Sequence, residues 1–190
     1  MKKLLNTLWV LCLCVSVTYA QSSQDAKTLK AALSDYLNII QKKDIDGILD
    51  YMPPQMFELA PRAQMKEELG KGSFQNMTLQ KVEIRKVSSV MKHNKAKYAL
   101  AEYFSEAVLQ VPKEEENRLE TMVTVMKSML GEDKVKVDKA KRQITMSIIS
   151  KMYAINSPEV KGWKFIQKDD GSEAFLEKIV PKEVQEKLKL

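Results

Sequence analysis

The sequence predicts an α+β fold in which N-terminal helices pack on a bent antiparallel sheet, with an amphipathic helix inserted between strands. Three observations support this class. In residues 25–69 the apolar side chains recur every three or four positions, as in helices that bury one face. From residue 74 onward, segments rich in Val, Ile, Tyr and Phe are separated by polar turns, which is typical of strands. Residues 114–130 then return to helical spacing.

The composition is that of an ordinary folded protein. The chain has 190 residues, of which 44% are hydrophobic and 29% charged, with six Gly and six Pro. These values exclude a collagen-like polymer, a disulfide-rich miniprotein and a disordered polyelectrolyte. No internal repeat or linker divides the chain, so we expect residues 21–190 to form a single α+β domain.

Residues 1–20 have the pattern of a secretory signal peptide, with two lysines, an apolar stretch and a small-x-small sequence ending in Ala20. A retained membrane anchor is disfavoured because the strongly apolar run, residues 8–17, is about half the ~20 residues that span a bilayer. A lipoprotein signal is disfavoured because Leu11 and Leu13, and not small residues, precede the two cysteines. We therefore predict cleavage after Ala20, a periplasmic or secreted protein, and no transmembrane segment after cleavage.

Cleavage removes both cysteines, Cys12 and Cys14, and leaves 170 residues with 29 basic and 25 acidic side chains. Without a thiol, the mature chain has no nucleophilic cysteine, disulfide or thiolate metal site. The basic residues are mostly Lys and are spread along the chain, whereas surfaces that bind nucleic acid concentrate Arg beside aromatic side chains. We therefore expect no nucleic-acid partner.

The N-terminal part is predicted to form three helices. Asp44 can cap the second helix, residues 45–52, which Pro53 and Pro54 end. Pro61 suits the first position of the third helix, which runs to residue 69. The first helix, residues 25–43, is expected to bury a stripe formed by Leu29, Leu33, Tyr36, Leu37 and Ile40.

Residues 77–91 and 96–111 are predicted to form an antiparallel hairpin around a polar turn that contains His93. The apolar alternation slips along the first strand, which indicates β-bulges that bend the sheet. One face of the second strand carries mostly small side chains, so the first helix can approach it closely. These positions are Ala99, Ala101, Tyr103, Ser105 and Ala107.

The inserted helix, residues 114–130, begins with three glutamates and ends before Gly131, as the charge preferences of helix ends favour. We expect it to bury Leu119, Met122, Val123, Met126, Met129 and Leu130. The remaining elements are predicted to be strands at residues 134–138, 143–155 and 162–167 and a short helix after Pro181.

Three segments resemble the nuclear-transport-factor-2-like superfamily, which has a cone-shaped, cystatin-like fold. They are residues 31–37 (AALSDYL), residues 42–49 (KKDIDGIL) and residues 162–166 (GWKFI). The signal peptide resembles those of exported proteins in the Bacteroidota. The resemblance implies a cone of helices and bent sheet, a fold that serves isomerases, dehydratases, cyclases and non-catalytic binding or assembly modules, so it assigns no activity by itself.

Isomerase-type members of that superfamily use an Asp or His base with a Tyr acid inside the cone, and the resemblance implies Asp46, Tyr51 or Glu106 for such a role here. From the sequence alone, His93 is interpreted as a surface turn residue, and Glu102 and Glu106 as solvated carboxylates on an outer sheet face. We therefore assign no catalytic residue and expect no cofactor.

The methionines at helical spacing allow two interpretations. Met122, Met126 and Met129 carry thioethers, which are soft ligands that suit copper. The same positions coincide with the apolar stripe of the inserted helix, and no His or Cys accompanies them. We therefore interpret them as core residues and predict no metal site.

Five aromatic residues are candidates for the mouth of a ligand pocket that would take a small amphipathic molecule. The alternative is that they are ordinary core residues. They are Tyr36, Tyr51, Phe57, Tyr103 and Trp163.

On the outer sheet face, Tyr98, Leu100 and Phe104 require a cover, either the inserted helix or a second subunit. The resemblance implies a homodimer through that face. The functional hypothesis is an exported, non-enzymatic binding or assembly module of the cell envelope, which takes a small amphipathic ligand or a protein partner. The alternative is a cofactor-free isomerase or lyase that uses a pocket carboxylate and a Tyr.

Overall fold

The computed structural model describes residues 23–71, 73–168 and 176–190. It has the predicted α+β architecture, with helices packed on an antiparallel six-stranded sheet that does not close into a barrel. The predicted signal peptide, residues 1–20, lies outside the described residues. Within them, none of the helices combines the length and the apolar character that crossing a bilayer requires.

Two long strands form the centre of the sheet and pair antiparallel from Lys97 opposite Asn156 to Gln110 opposite Gln143. The main path of the sheet runs β1-β3-β5-β4, while β2 pairs with β3 and β6 with β5. The six strands are β1 (Met77–Val87), β2 (Met91–His93), β3 (Ala96–Gln110), β4 (Val135–Asp138), β5 (Gln143–Asn156) and β6 (Lys164–Gln167).

Strand β1 contains the predicted irregularities, since its pairing with β3 shifts between Leu79 and Lys81 and again between Ile84 and Lys86. The single strand predicted for residues 77–91 is wrong, however, because β1 ends at Val87 and β2 starts separately. Ser88 marks the break: its N–H donates to Leu100 O, and its hydroxyl accepts from Leu100 N–H at 2.9 Å. This hydroxyl takes the place of a backbone acceptor, which interrupts the regular ladder.

The N-terminal helices cover one half of the inner face of the sheet, defined as the face with Ala99, Ala101, Tyr103 and Ala107. Residues 23–42 are helical (α1). Leu29 of α1 packs in one buried cluster with Ala99 and Ala101, so the expected close approach is confirmed. The other helices before the sheet are α2 (Ile45–Asp50), α3 (Met56–Leu59), α4 (Arg62–Leu69) and α5 (Ser73–Asn76).

The predicted capping of α2 is confirmed, because Asp44 Oδ1 accepts a hydrogen bond from Gly47 N–H at 3.1 Å. Steric contacts explain why residue 47 is a glycine. A Cβ at this position would lie 2.6 Å from Asp44 Oδ2 and 2.9 Å from Ile39 Cγ2. The close approach of α1, the cap and α2 therefore requires glycine.

The inserted helix α6 (Leu119–Leu130) covers the other half of the inner face and follows a 3₁₀ segment, Lys113–Arg118. It ends at Gly131, whose φ of 106° lies outside the range that other residues favour. Met129 is 78% exposed, so its predicted burial is wrong. The side chains that do pack in this cluster include Leu119, Met122, Val123, Met126 and Leu130, against Ala107, Leu109, Ile144 and Met146.

The outer face is defined as the face with Tyr98, Leu100 and Phe104. It was expected to be covered by the inserted helix or by a second subunit. The C-terminal segment, residues 176–190 with helix α7 (Lys182–Lys187), packs over Tyr98 and Leu100. The two covers that the sequence suggested, the inserted helix and a second subunit, are therefore wrong for this pair. The buried residues of the segment are Leu176, Ile179, Val180, Val184 and Leu188.

Candidate functional site

A cleft of about 660 Å³ lies on the outer face at one end of the sheet. We call it the end cleft. Four connections surround it: the loop after α2, the β2–β3 turn, the β5–β6 turn and the C-terminal segment. Among the lining residues are Pro53, Pro54, His93, Lys95, Tyr98, Ile155, Pro158, Glu159, Val160, Lys164 and Ile179.

The floor of the end cleft is a row across three adjacent strands. Tyr98 of β3 lies opposite Ile155 of β5, and Ile155 lies opposite Lys164 of β6. Neighbouring strands are ~4.8 Å apart, so the row extends from a phenol over an aliphatic side chain to an ammonium. The end cleft therefore has an apolar centre between two polar ends.

The walls of the end cleft are built by turns whose residues interrupt regular structure. Pro53 and Pro54 stop α2 because proline lacks the N–H that a helix needs. Asn94 adopts a left-handed conformation with φ 53°, a region that asparagine tolerates, and so reverses the chain between β2 and β3. Register then places this turn beside the β5–β6 turn, since Lys97 lies opposite Asn156.

Charged groups stand on the rim of the end cleft. Lys164 Nζ donates a hydrogen bond to Asp50 O at 2.5 Å. Among the described residues, neither Lys164 nor Lys95 nor Glu159 forms an ion pair with a side chain. These three charges are therefore available to a ligand.

His93 is not the fully solvated turn residue that the sequence suggested. It is the last residue of β2 and lines the end cleft, and its side chain is 25% exposed. Its Nε2 lies 3.6 Å from Glu183 Oε2 in the C-terminal segment. His93 therefore links the hairpin to the segment that covers the outer face.

Tyr98, at the floor of the end cleft, is a buried residue with 7% of its surface exposed. Burial raises the pKa of Tyr98 above its usual value, and the negative charge of Glu159 adds to this effect. Tyr98 is therefore neutral at physiological pH and can act as a hydrogen-bond donor or acceptor.

A smaller cavity of about 200 Å³, which we call the sheet cavity, lies on the inner face. Tyr103 lines it, and its hydroxyl donates to Gln167 Oε1 at 3.4 Å. Among the described residues, its lining contains no Asp or Glu and consists of Ile40, Lys43, Phe74, Met77, Leu79, Tyr103, Ser105, Ala107, Ile148 and Ser150. These residues therefore do not supply the pair of a carboxylate and a Tyr that the isomerase hypothesis needs.

The structure brings together some of the five predicted aromatic residues and separates others. Tyr36 and Tyr51 lie with their ring centroids 5.4 Å apart, and Phe165 stacks on Tyr36 at 5.0 Å. Phe57 lies elsewhere, under the guanidinium of Arg62 at 5.6 Å. Packing contacts therefore account for the positions of these rings, which are Tyr36, Tyr51, Phe57 and Phe165.

Trp163 and Tyr103 complete the set of five. Trp163 is 4% exposed and its Nε1 donates to Thr28 Oγ1. Of the five residues, Tyr103 lines the sheet cavity, and none lines the end cleft. Their role in ligand binding stays a prediction.

The carboxylates considered for catalysis lie outside both cavities. Asp46 is exposed on α2 and pairs with Lys66 at 2.6 Å. The hydrogen bond from Lys66 is the main reason that the pKa of Asp46 lies below its ordinary value. Glu106 projects from the outer face of β3, and Tyr51 belongs to the aromatic stack. The structure therefore does not gather Asp46, Tyr51 and Glu106 at one point.

The part of the chain that the structure describes contains no group of three or more His, Cys, Asp or Glu side chains that could hold a metal ion. The methionines of α6 also separate, since Met122 and Met126 are partly buried and pack against the core while Met129 is exposed to solvent.

Comparison of the chain with protein-family models, with curated proteins and with solved structures gave no match. The resemblance to the nuclear-transport-factor-2-like superfamily therefore stays a prediction.

Proposed function

We propose that the protein is a non-enzymatic binding module that holds a small amphipathic ligand in the end cleft. One observation carries this proposal: the cleft combines an apolar floor at Ile155 with charges on its rim that form no ion pair among the described residues. Ligand pockets in proteins commonly have ~300–1,000 Å³ and a few polar groups on mostly apolar walls. The end cleft, at about 660 Å³, has this size, and its lining combines apolar residues with a nearly equal share of polar ones.

Binding is favoured over catalysis by the position of the titratable groups. Glu159 is exposed in the β5–β6 turn, and Lys164 is half-buried at the rim. Acid–base catalysis by a carboxylate and a phenol depends on a site that shields them from water and shifts their proton affinities. An open rim suits recognition of a ligand headgroup better than such chemistry.

The test uses 1-anilinonaphthalene-8-sulfonate, a fluorescent amphiphile that reports apolar surface. Val160→Trp places a large ring in the lining of the end cleft and should abolish most of the saturable fluorescence. Val125→Trp is the matched control, because Val125 is 51% exposed on α6, away from the cleft lining. Equal fluorescence from the native protein and Val160→Trp, with native circular dichroism in both, contradicts the proposal.

We further infer that residues 1–20 direct export, on the basis of the signal-peptide pattern. Fusion of residues 1–30 to a phosphatase that is active only after export should give activity outside the cytoplasm. Replacing the apolar run with polar residues should abolish it. Activity that persists in the variant contradicts export through this segment.

We also propose that a second copy of the chain covers the part of the outer face that the C-terminal segment leaves exposed, around Phe104 and Ile149. Ile149 is 60% exposed there, beside Phe104. Lys81 and Arg85 stand over the Phe104 ring and both pair with Glu83 on their own strand, while Glu102 lies on β3 with its carboxylate 3.8 Å from Lys151 Nζ. Phe104 and Ile149 therefore form the apolar centre of the proposed interface and these ion pairs form its rim, the arrangement that protein interfaces commonly have.

Light scattering after size-exclusion chromatography tests this dimer. The native chain should elute as a dimer at micromolar concentration, and Ile149→Asp should shift it to a monomer. Val125→Asp is the control, because Val125 is also exposed but lies on α6. A native monomer contradicts the interface.

A further inference from the structure

The orientation of a ligand in the end cleft is set by the row Tyr98, Ile155 and Lys164. The row places the ammonium of Lys164 and the phenol of Tyr98 on opposite sides of Ile155. With ~4.8 Å between strands, their backbones are ~10 Å apart. An apolar ligand body can therefore lie along Ile155 with its headgroup at one end only.

The Lys164 end of this row favours a negatively charged headgroup. Its Nζ donates one hydrogen bond, to Asp50 O, and an ammonium group has three N–H donors. The nearby carboxylate of Asp50 does not neutralise it, because Asp50 Oδ1 is engaged by Arg62 Nη2 at 2.7 Å. Within the part of the chain that the structure describes, Lys164 therefore keeps two donors and a positive charge that forms no ion pair.

The Tyr98 end of the row is less favourable for an anion than the Lys164 end. Glu159 forms no ion pair with any residue that the structure describes, and burial, followed by its negative charge, raises the pKa of Tyr98. Lys95 is also on the rim but is exposed in the β2–β3 turn, where water screens its charge. Lys164 is a partly buried residue and Lys95 an exposed one, and a charge beside less water interacts more strongly with an anion because the surrounding dielectric is lower.

We propose that the end cleft binds a monocarboxylate with an apolar tail, with the carboxylate at Lys164 and the tail along Ile155 towards Tyr98. A carboxylate offers two oxygens for the two free N–H groups, and charge-assisted bonds of this kind are about twice as strong as neutral ones. This inference rests on the proposed binding function and adds the ligand class and its orientation.

Calorimetric titration with decanoate and with decanol tests the ligand class, because the two probes share the tail and differ in the headgroup. Decanoate should bind about ten-fold more tightly than decanol. If both probes bind equally well, the carboxylate inference is overturned while the binding function stands. If neither binds, the proposed function itself fails.

Two variants locate the headgroup. Lys164→Met should weaken decanoate binding at least about five-fold and leave decanol within about two-fold. Lys95→Met is the matched control and should retain the preference for decanoate. If Lys95→Met removes the preference and Lys164→Met does not, the proposed orientation is wrong.

Lys164→Arg guards against a folding artefact, because it keeps the positive charge and the donor to Asp50 O. It should restore most of the decanoate preference. Should Lys164→Met unfold, the salt dependence of the native protein decides: the ratio of decanoate to decanol affinity should fall as salt increases. A ratio that does not change with salt overturns the inference.

Discussion

Trp163 Nε1 donates a hydrogen bond to Thr28 Oγ1 across 3.2 Å, although the two residues are 135 positions apart. The contact joins α1 to the chain that enters β6. Trp163 packs in the same cluster as Leu29 and Leu33. The side of α1 that faces the sheet is thus held by both apolar packing and a polar contact.

Thr28→Val keeps the shape of the side chain but removes the hydroxyl, which accepts from Trp163 Nε1 and donates to Asp25 O at 3.0 Å. We expect it to lower the free energy of unfolding by about 1 kcal/mol, because the indole N–H loses its partner. Urea unfolding followed by circular dichroism measures this change. Thr28→Ser, which keeps the hydroxyl, should stay close to the native value; equal losses in both variants would show that the hydrogen bond contributes nothing.

Gly47→Ala should destabilise the protein by about 1–2 kcal/mol, the range of a lost helix cap. The added Cβ would displace the Asp44 carboxylate that caps α2. Thermal unfolding can test the cause through a double mutant. In an Asp44→Ala background the same substitution should cost less, because the cap is already absent; an undiminished cost would point instead to the contact with Ile39.

The raised pKa of Tyr36 predicts how the free energy of unfolding changes at alkaline pH. Burial, followed by the charge of Tyr103, raises the pKa of Tyr36 above its ordinary value of 10.0. A group whose pKa is higher in the folded state contributes full stability below the unfolded pKa and loses it as pH rises towards the folded pKa. Stability should therefore fall as the pH increases above about 10.

Tyr36→Phe removes the group that titrates and should flatten this alkaline loss. Urea unfolding at pH 8, 10 and 11 compares the two proteins. The variant can be less stable at pH 8, but its free energy of unfolding should decrease less between pH 8 and 11. An identical decrease in both proteins assigns the pH dependence to other groups.

The methionines of α6 differ in their contribution to stability. Met126 packs in the cluster with Ala107 and Ile144, whereas Met129 is 78% exposed. We expect Met126→Ala to cost about 2 kcal/mol and Met129→Ala less than about 0.5 kcal/mol. Chemical denaturation of both variants checks this; similar costs would mean that Met129 is buried in solution.

Much of the fold could be predicted because its elements have regular local patterns. The stripe with Leu29 and Leu33 identified α1, and the small residues Ala99 and Ala101 identified the face on which it packs. The bulges in β1 were visible as slips in a two-residue period. In each case the interaction partner follows from the spacing within one segment.

The errors concern residues whose environment depends on distant parts of the chain. Met129 lies near the edge of the α6 stripe, and helical spacing alone does not reveal that the partner surface ends before it. The break at Ser88 depends on two hydrogen bonds with Leu100 across the hairpin. The cover over Tyr98 comes from a segment about 80 residues later, which no local pattern connects to β3.

The end cleft was missed for the same reason. Tyr98, Ile155 and Lys164 become neighbours only through the registers of β3, β5 and β6. The available signal was indirect: Pro53, Asn94 and Pro158 are turn-forming residues, and their turns meet at one end of the sheet. Aromatic residues were a less useful guide, since most of them pack in the core.

The position of the C-terminal segment also bears on how the protein tolerates truncation. In a chain that stops after β6, Tyr98, Leu100 and Tyr153 lose the side chains that pack on them from residues 176–190. Uncovered apolar sheet surfaces promote association between chains. We therefore expect such a truncated chain to aggregate.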